Sequence, residues 1–138
     1  MTRRGSDHWT YILGLGALGN LANGLWMLAD PAGWHAGIPA GVPDFGPLNE
    51  HFVRDVGVIF TMLGIALAWA AYVPSARVTA TALVTLFYVL HALVHVYDTA
   101  RGLVGSEHWL IDLPAVYLPA LFLVILTALL VRQQPRPR

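Results

Sequence analysis

Four apolar runs, each about as long as a lipid bilayer is thick, limit most of what this chain can fold into. A hydrocarbon layer of about 30 Å takes roughly 20 helical residues to cross. The runs Trp9 to Ala29, Leu48 to Val73, Val78 to Tyr97 and Trp109 to Val131 all reach that length. Lipid offers no partner for an unpaired backbone N–H or C=O, so open strands are excluded and each run is expected to be an α-helix. Of the 138 residues, 57% are apolar and 12% charged, whereas soluble domains carry about a quarter charged side chains. Runs and composition together predict an all-α integral membrane protein, with residues 1–138 forming one antiparallel four-helix bundle.

Charge placement predicts orientation. All basic side chains are arginine, and Arg3, Arg4, Arg77, Arg132, Arg136 and Arg138 fall at one end of the predicted bundle, against Arg54 and Arg101 at the other. Basic residues in short connections stay on the cytoplasmic side, so both termini are expected there, in the inner (plasma) membrane. The acids sort the other way: only Asp7 shares the arginine-rich end. The first run follows Arg3 and Arg4 like a secretory signal, but it lacks a small-x-small cleavage site and is expected to be retained. No basic block suggests a nucleic-acid partner. The chain has no cysteine, which excludes thiolate chemistry and leaves imidazole, carboxylate, amide or thioether as metal donors.

The segment FYVLHALVHVYD, residues 87–98, places two histidines and an aspartate inside the third apolar run. Running outward, it puts His91, His95 and Asp98 in its outer half. The second run opens PLNEHFVRDVG and places His51, Arg54 and Asp55 at the same level, and the fourth opens HWLIDLPAVYLP and adds His108 and Asp112. At ~1.5 Å of rise per residue, all lie within roughly 10 to 15 Å of the outer boundary. His51 with Asp55, His91 with His95 and His108 with Asp112 are spaced four apart, so each pair shares a helix face. An ionisable group within a membrane normally faces the bundle interior, and several such faces at one depth are expected to meet.

The chemistry that follows is a transition-metal site. HxxxH on a helix puts two imidazoles about 6 Å apart along the axis, within reach of one ion. His51, His91, His95 and Asp55 are the expected ligands. Arg54, Asp98, Asp112 and Tyr88 are expected around them, as charge partners or as acceptors that fix the imidazole tautomers. Imidazole with carboxylate suits copper or zinc ahead of iron and does not suit calcium. Haem is disfavoured, because His91 and His95 share a face and cannot clamp opposite sides of a porphyrin. Conduction across the membrane is disfavoured because the inner halves of the second and fourth runs are almost wholly apolar. The expected function is a metal-dependent membrane oxidoreductase or a metal-handling protein. The alternative is a non-catalytic accessory subunit of a membrane complex, whose His/Asp/Arg network orders the helices and whose glycine faces dock a second copy or a larger partner. Asp112, ahead of Leu113 and Pro114, also suits an N-cap, and His35 and His108 read as loop residues.

GPLNEHFVRDVG, then HALVHVYD, then DLPAVYLPA resemble segments of a group of small, uncharacterised bacterial four-helix integral membrane proteins that are DoxX-like in architecture. The resemblance covers the second to fourth runs. It implies the same fold, with a GPxNxHxxRDxG segment opening the second helix and a histidine pair on the third; carried over, these are His51, Arg54, Asp55, His91 and His95. It implies no particular reaction.

Three other patterns are structural. GLGALG, residues 14–19, has the letters of a dinucleotide fingerprint but lies within a spanning run with no strand before it. With Gly16 and Gly24 it reads as a close-packing surface, and Gly57, Thr61 and Gly64 as another. Trp9, Trp26, Trp34 and Trp109 mark membrane boundaries, and Pro114 and Pro119 predict a kink that opens room near Asp112.

Overall fold

The structure, a computed structural model, describes residues 7–133; Arg3, Arg4 and the chain beyond Gln133, including Arg136 and Arg138, lie outside them. Among the described residues all regular structure is helical. Six α-helices are formed: α1 (His8–Ala29), α2 (Pro31–Gly37), α3 (Glu50–Tyr72), α4 (Arg77–Ala100), α5 (His108–Ile111) and α6 (Leu118–Arg132). Four segments are long and apolar enough to cross a membrane: His8–Ala29, Glu50–Tyr72, Pro74–Ala100 and Leu113–Arg132.

Local chemistry sets the helix starts. Asp7 Oδ1 accepts from Thr10 N at 3.1 Å and Asn49 Oδ1 from Phe52 N at 3.1 Å, capping α1 and α3. The connection 30–47, expected as a loop, contains two short elements. Asp30 caps α2 through Gly33 N at 2.9 Å with Pro31 in the first turn, and a 3-10 turn covers Val42–Phe45 between Gly41 (φ 58) and Gly46 (φ 135). The fourth run, expected as one helix, is broken. After α5, residues Leu113–Tyr117 form a π turn, with the carbonyl of Asp112 accepting from Val116 N at 2.8 Å and Tyr117 N at 3.2 Å. Pro114 and Pro119 lack the N–H groups an uninterrupted α-helix would use, and the wider turn accommodates the loss.

α1 and α3 pack backbone to backbone. A Cβ on Gly24 would lie 2.6 Å from Thr61 N and 2.7 Å from Gly57 O, and one on Gly64 would lie 2.9 Å from Leu21 N. In lipid, where apolar contact with solvent is no penalty, such close approach is what holds helices together. The small-residue faces at Gly24, Gly57 and Gly64, expected as close-packing surfaces, meet across this contact within the chain. α4 packs on α6, where the Thr85 and Thr127 hydroxyls meet at 2.7 Å, and Leu13, Leu67, Val84, Leu123 and Leu126 fill the shared interior. At the end holding the start of α1 and the end of α6, Arg77 donates to both carboxylate oxygens of Asp7 at 2.8 and 2.9 Å and to Ala70 O at 3.3 Å. There Trp9 Nε1 donates to Gln133 Oε1 at 3.0 Å. That end is stitched shut. The opposite end, under α2 and the Val42–Phe45 turn, is hollow.

Candidate functional site

The hollow is a cavity of about 620 Å³. Its walls come from the turns of α1, α3 and α4 nearest that end, from the π turn at Ala115 and Val116, and from a roof made by the 34–47 segment. α3 and α4 meet at Phe60, whose ring stands edge-on to Phe87 and Tyr88 with centroids 5.5 and 6.2 Å apart. The lining is mostly apolar. Its polar members sit on one stripe of α4, with Tyr88, His91, His95 and Asp98 all facing the cavity, on α1, with Asn20 and Asn23, and in the roof and at the start of α3, with His35 and Asn49. Spacings of three and four along α4 put these groups on one side of that helix, as the sequence predicted.

His95 is the most tightly defined of them. Its Nδ1 lies 2.8 Å from Asp112 Oδ2, with 13% of the His95 side chain and none of the Asp112 side chain exposed. A carboxylate accepts only, so Nδ1 carries a proton, and when the ring is neutral its Nε2 lone pair is an acceptor. Asp112 is itself held from behind. His108 Nδ1 stands 3.4 Å from Asp112 Oδ1, and His108 Nε2 stands 3.2 Å from Asp44 Oδ2. His108 is fully buried, and Phe45 lies edge-on to both His95 and His108, with centroids 4.9 and 4.8 Å away. A chain of four groups thus runs from Asp44, whose side chain is 57% exposed, through His108 and Asp112 to His95. Burial disfavours the His108 cation, but Asp44 and Asp112 outweigh it and push its pKa up. In its charged form His108 donates to both carboxylates.

His91 stacks on Phe87 with rings 7° from parallel, and its centroid is 4.7 Å from that of His95. On α1, Asn20 Oδ1 accepts from Tyr88 Oη at 3.0 Å and Asn23 Oδ1 from Trp34 Nε1 at 2.9 Å.

The residues expected on α3 are elsewhere. His51 and Asp55 pair with each other at 3.4 Å with side chains 88% and 61% exposed, and neither lines the cavity. The reason is helical phase. α3 buries Val53, Gly57 and Gly64 against α1, and His51 precedes Val53 by two residues, about 200° around the helix. Arg54 reaches back to Glu50 at 2.9 Å, at the surface, rather than to Asp55 or Asp98. Among the described residues no three His, Asp or Glu side chains come together as a metal-binding group.

His108, expected in a loop at the level of the polar cluster, is the buried centre of the network. Asp112, expected either as a helix cap or as an acceptor beside the histidines, has its side chain between two imidazoles. Asp44 and Phe45 had no role in the expected site; only the Gly41 and Gly46 positions, which allow the chain to turn back over the cavity, hint at their placement. No protein-family model, curated protein or solved structure matches the chain.

Proposed function

We propose that this protein is an antiparallel four-helix membrane protein, with both termini cytoplasmic, that binds one small, largely apolar molecule in the cavity at its outer end. His95 supplies the oriented polar contact. The observation that carries this reading is the 2.8 Å bond from His95 Nδ1 to buried Asp112 at the wall of a mostly apolar 620 Å³ cavity. Ligand sites of this size combine apolar walls with a few fixed polar groups, and a carboxylate-held imidazole keeps its orientation when the ligand leaves. The neutral imidazole offers Nε2 to a donor or, in a reaction, as a proton acceptor. The accessory-subunit reading keeps only part of its glycine surface: Gly24, Gly57 and Gly64 are taken up between α1 and α3, whereas nothing packs on Gly14 and Gly19.

A copper or zinc ion on His91 and His95 is a second reading. It is favoured by the 4.7 Å separation of their rings and by Asp112 standing where an acceptor behind a ligating imidazole would stand; a further donor would come from water or the bound molecule.

The test is equilibrium dialysis of 2-naphthol against the protein in nanodiscs, with empty nanodiscs as reference. Val53 is 6% exposed and lines the cavity, so Val53→Trp fills it. Wild type is expected to bind, Val53→Trp to lose binding, and His95→Gln to weaken it about tenfold through the lost hydrogen bond. Equal binding by wild type and Val53→Trp defeats the cavity reading. Elemental analysis of the same wild-type sample separates the two readings: a stoichiometric metal, lost in His91→Ala and His95→Ala, selects the second.

A further inference from the structure

Several of the cavity's donors are already committed. Tyr88 Oη and Trp34 Nε1 are committed to the oxygens of Asn20 and Asn23. The Asn20 amide donates to Gly16 O at 2.9 Å, and His35 Nε2 lies 3.3 Å from Gly46 O. His95 Nδ1 faces Asp112. No lysine or arginine lines the cavity, whereas one full carboxylate does, that of Asp98, one turn beyond His95 on the same stripe of α4. Among the described residues no hydrogen bond or ion pair reaches the Asp98 carboxylate: Arg54 is bound to Glu50, and Arg101, three residues further along, makes no ion pair with it. The remaining wall carries six aromatic side chains, those of Trp34, Phe45, Phe52, Phe60, Phe87 and Tyr88.

An anion would find little there to neutralise it. A neutral molecule would leave the half-buried Asp98 carboxylate without an opposite charge. A cation with apolar substituents answers both conditions, because a carboxylate supplies the opposite charge and aromatic faces attract cations through their quadrupoles. Building on the cavity reading of the previous subsection, we infer that the molecule bound is a hydrophobic organic cation, an amine or quaternary ammonium, held between the Asp98 carboxylate and the aromatic wall. A protonated amine would also donate to His95 Nε2. A quaternary ammonium would use the rings alone.

Two isosteric probes separate charge from shape: benzyltrimethylammonium and its neutral carbon analogue, neopentylbenzene. Each is dialysed against nanodiscs holding wild type, Asp98→Asn, Asp98→Glu or Val53→Trp, with partition into empty nanodiscs subtracted. Wild type is expected to bind the ammonium at least about tenfold more tightly than the neutral analogue, as a desolvated cation on carboxylate and rings should. Asp98→Asn is expected to lose about that factor for the ammonium alone, and Asp98→Glu to keep most of it. Neutral binding equal to or tighter than cation binding, or an Asp98→Asn variant that holds the ammonium unchanged, overturns the inference and leaves the cavity reading standing. Failure of both probes in wild type, matching Val53→Trp, overturns the inference together with that reading.

Discussion

His108 has carboxylates on both ring nitrogens, Asp44 at 3.2 Å and Asp112 at 3.4 Å, and no exposure to solvent. The groups that bear on its charge are Asp44 from the roof, Asp112 from its own segment and, beyond Asp112, His95 on α4. Its folded pKa is raised above the ordinary 6.5, with the carboxylates overcoming burial. A raised value gives stability that is full below the unfolded pKa and is lost as pH rises through the folded one. Unfolding by SDS titration should therefore show wild-type stability declining above about pH 6.5, and His108→Gln should flatten the decline. Asp112→Asn, which strands a buried cation, should cost about 3 kcal/mol, and Asp44→Asn, at a half-exposed carboxylate, at most about 1 kcal/mol. Equal losses in the two variants would mean that the network does not centre on Asp112. Little of this was readable from sequence. The stripe His91, His95, Asp98 follows from helical periodicity, and Asp112 stands out as an acid in a spanning run. Asp44 lies 64 residues from His108, and no periodicity joins a loop to a helix that distance away. His51 illustrates the opposite limit: spacing places it beside Asp55, but only the packing of Val53 and Gly57 on α1 decides which way the pair faces.

Among the elements, α1 and α3 depend on backbone contact, and this gives a paired prediction. Gly24→Ala puts a methyl 2.6 Å from Thr61 N and should cost about 1 to 3 kcal/mol through forced separation of the helices. Gly14→Ala meets nothing within 4 Å and should be neutral or gain up to about 1 kcal/mol from helix propensity. Thermal unfolding of the two variants beside wild type checks the contrast; similar shifts would show that α1 and α3 are not in close contact at Gly24. The four spanning helices were legible because length and hydropathy speak directly to lipid. The bend at Pro114 and Pro119 was legible too, though not its π form, whereas α2 was missed although Asp30-Pro31 carried its local signal. Turn chemistry marks where a helix can start or bend, and tertiary packing decides whether it does.

For the molecule as a whole, the arginine distribution predicts that Arg77 and the termini share the cytoplasmic side. Single cysteines at Ser75 and Ser106, introduced into a chain that has none, should be labelled by an impermeant maleimide from opposite sides of intact membrane vesicles; labelling from the same side would reject the proposed topology. The wide turn at Leu113–Tyr117 has a consequence for insertion itself. One residue of helix is about 100° of rotation, so a chain lacking the surplus residue of that turn would aim Asp112 away from His95 and toward the acyl chains. At mid-membrane a carboxylate so placed costs about 2.5 kcal/mol or more on insertion scales, and less toward the boundary, where Asp112 stands. A single amino acid added to one coil thereby sets the compass bearing of the acid, and with it whether this segment is accepted by the bilayer as a wall or refused as an intruder.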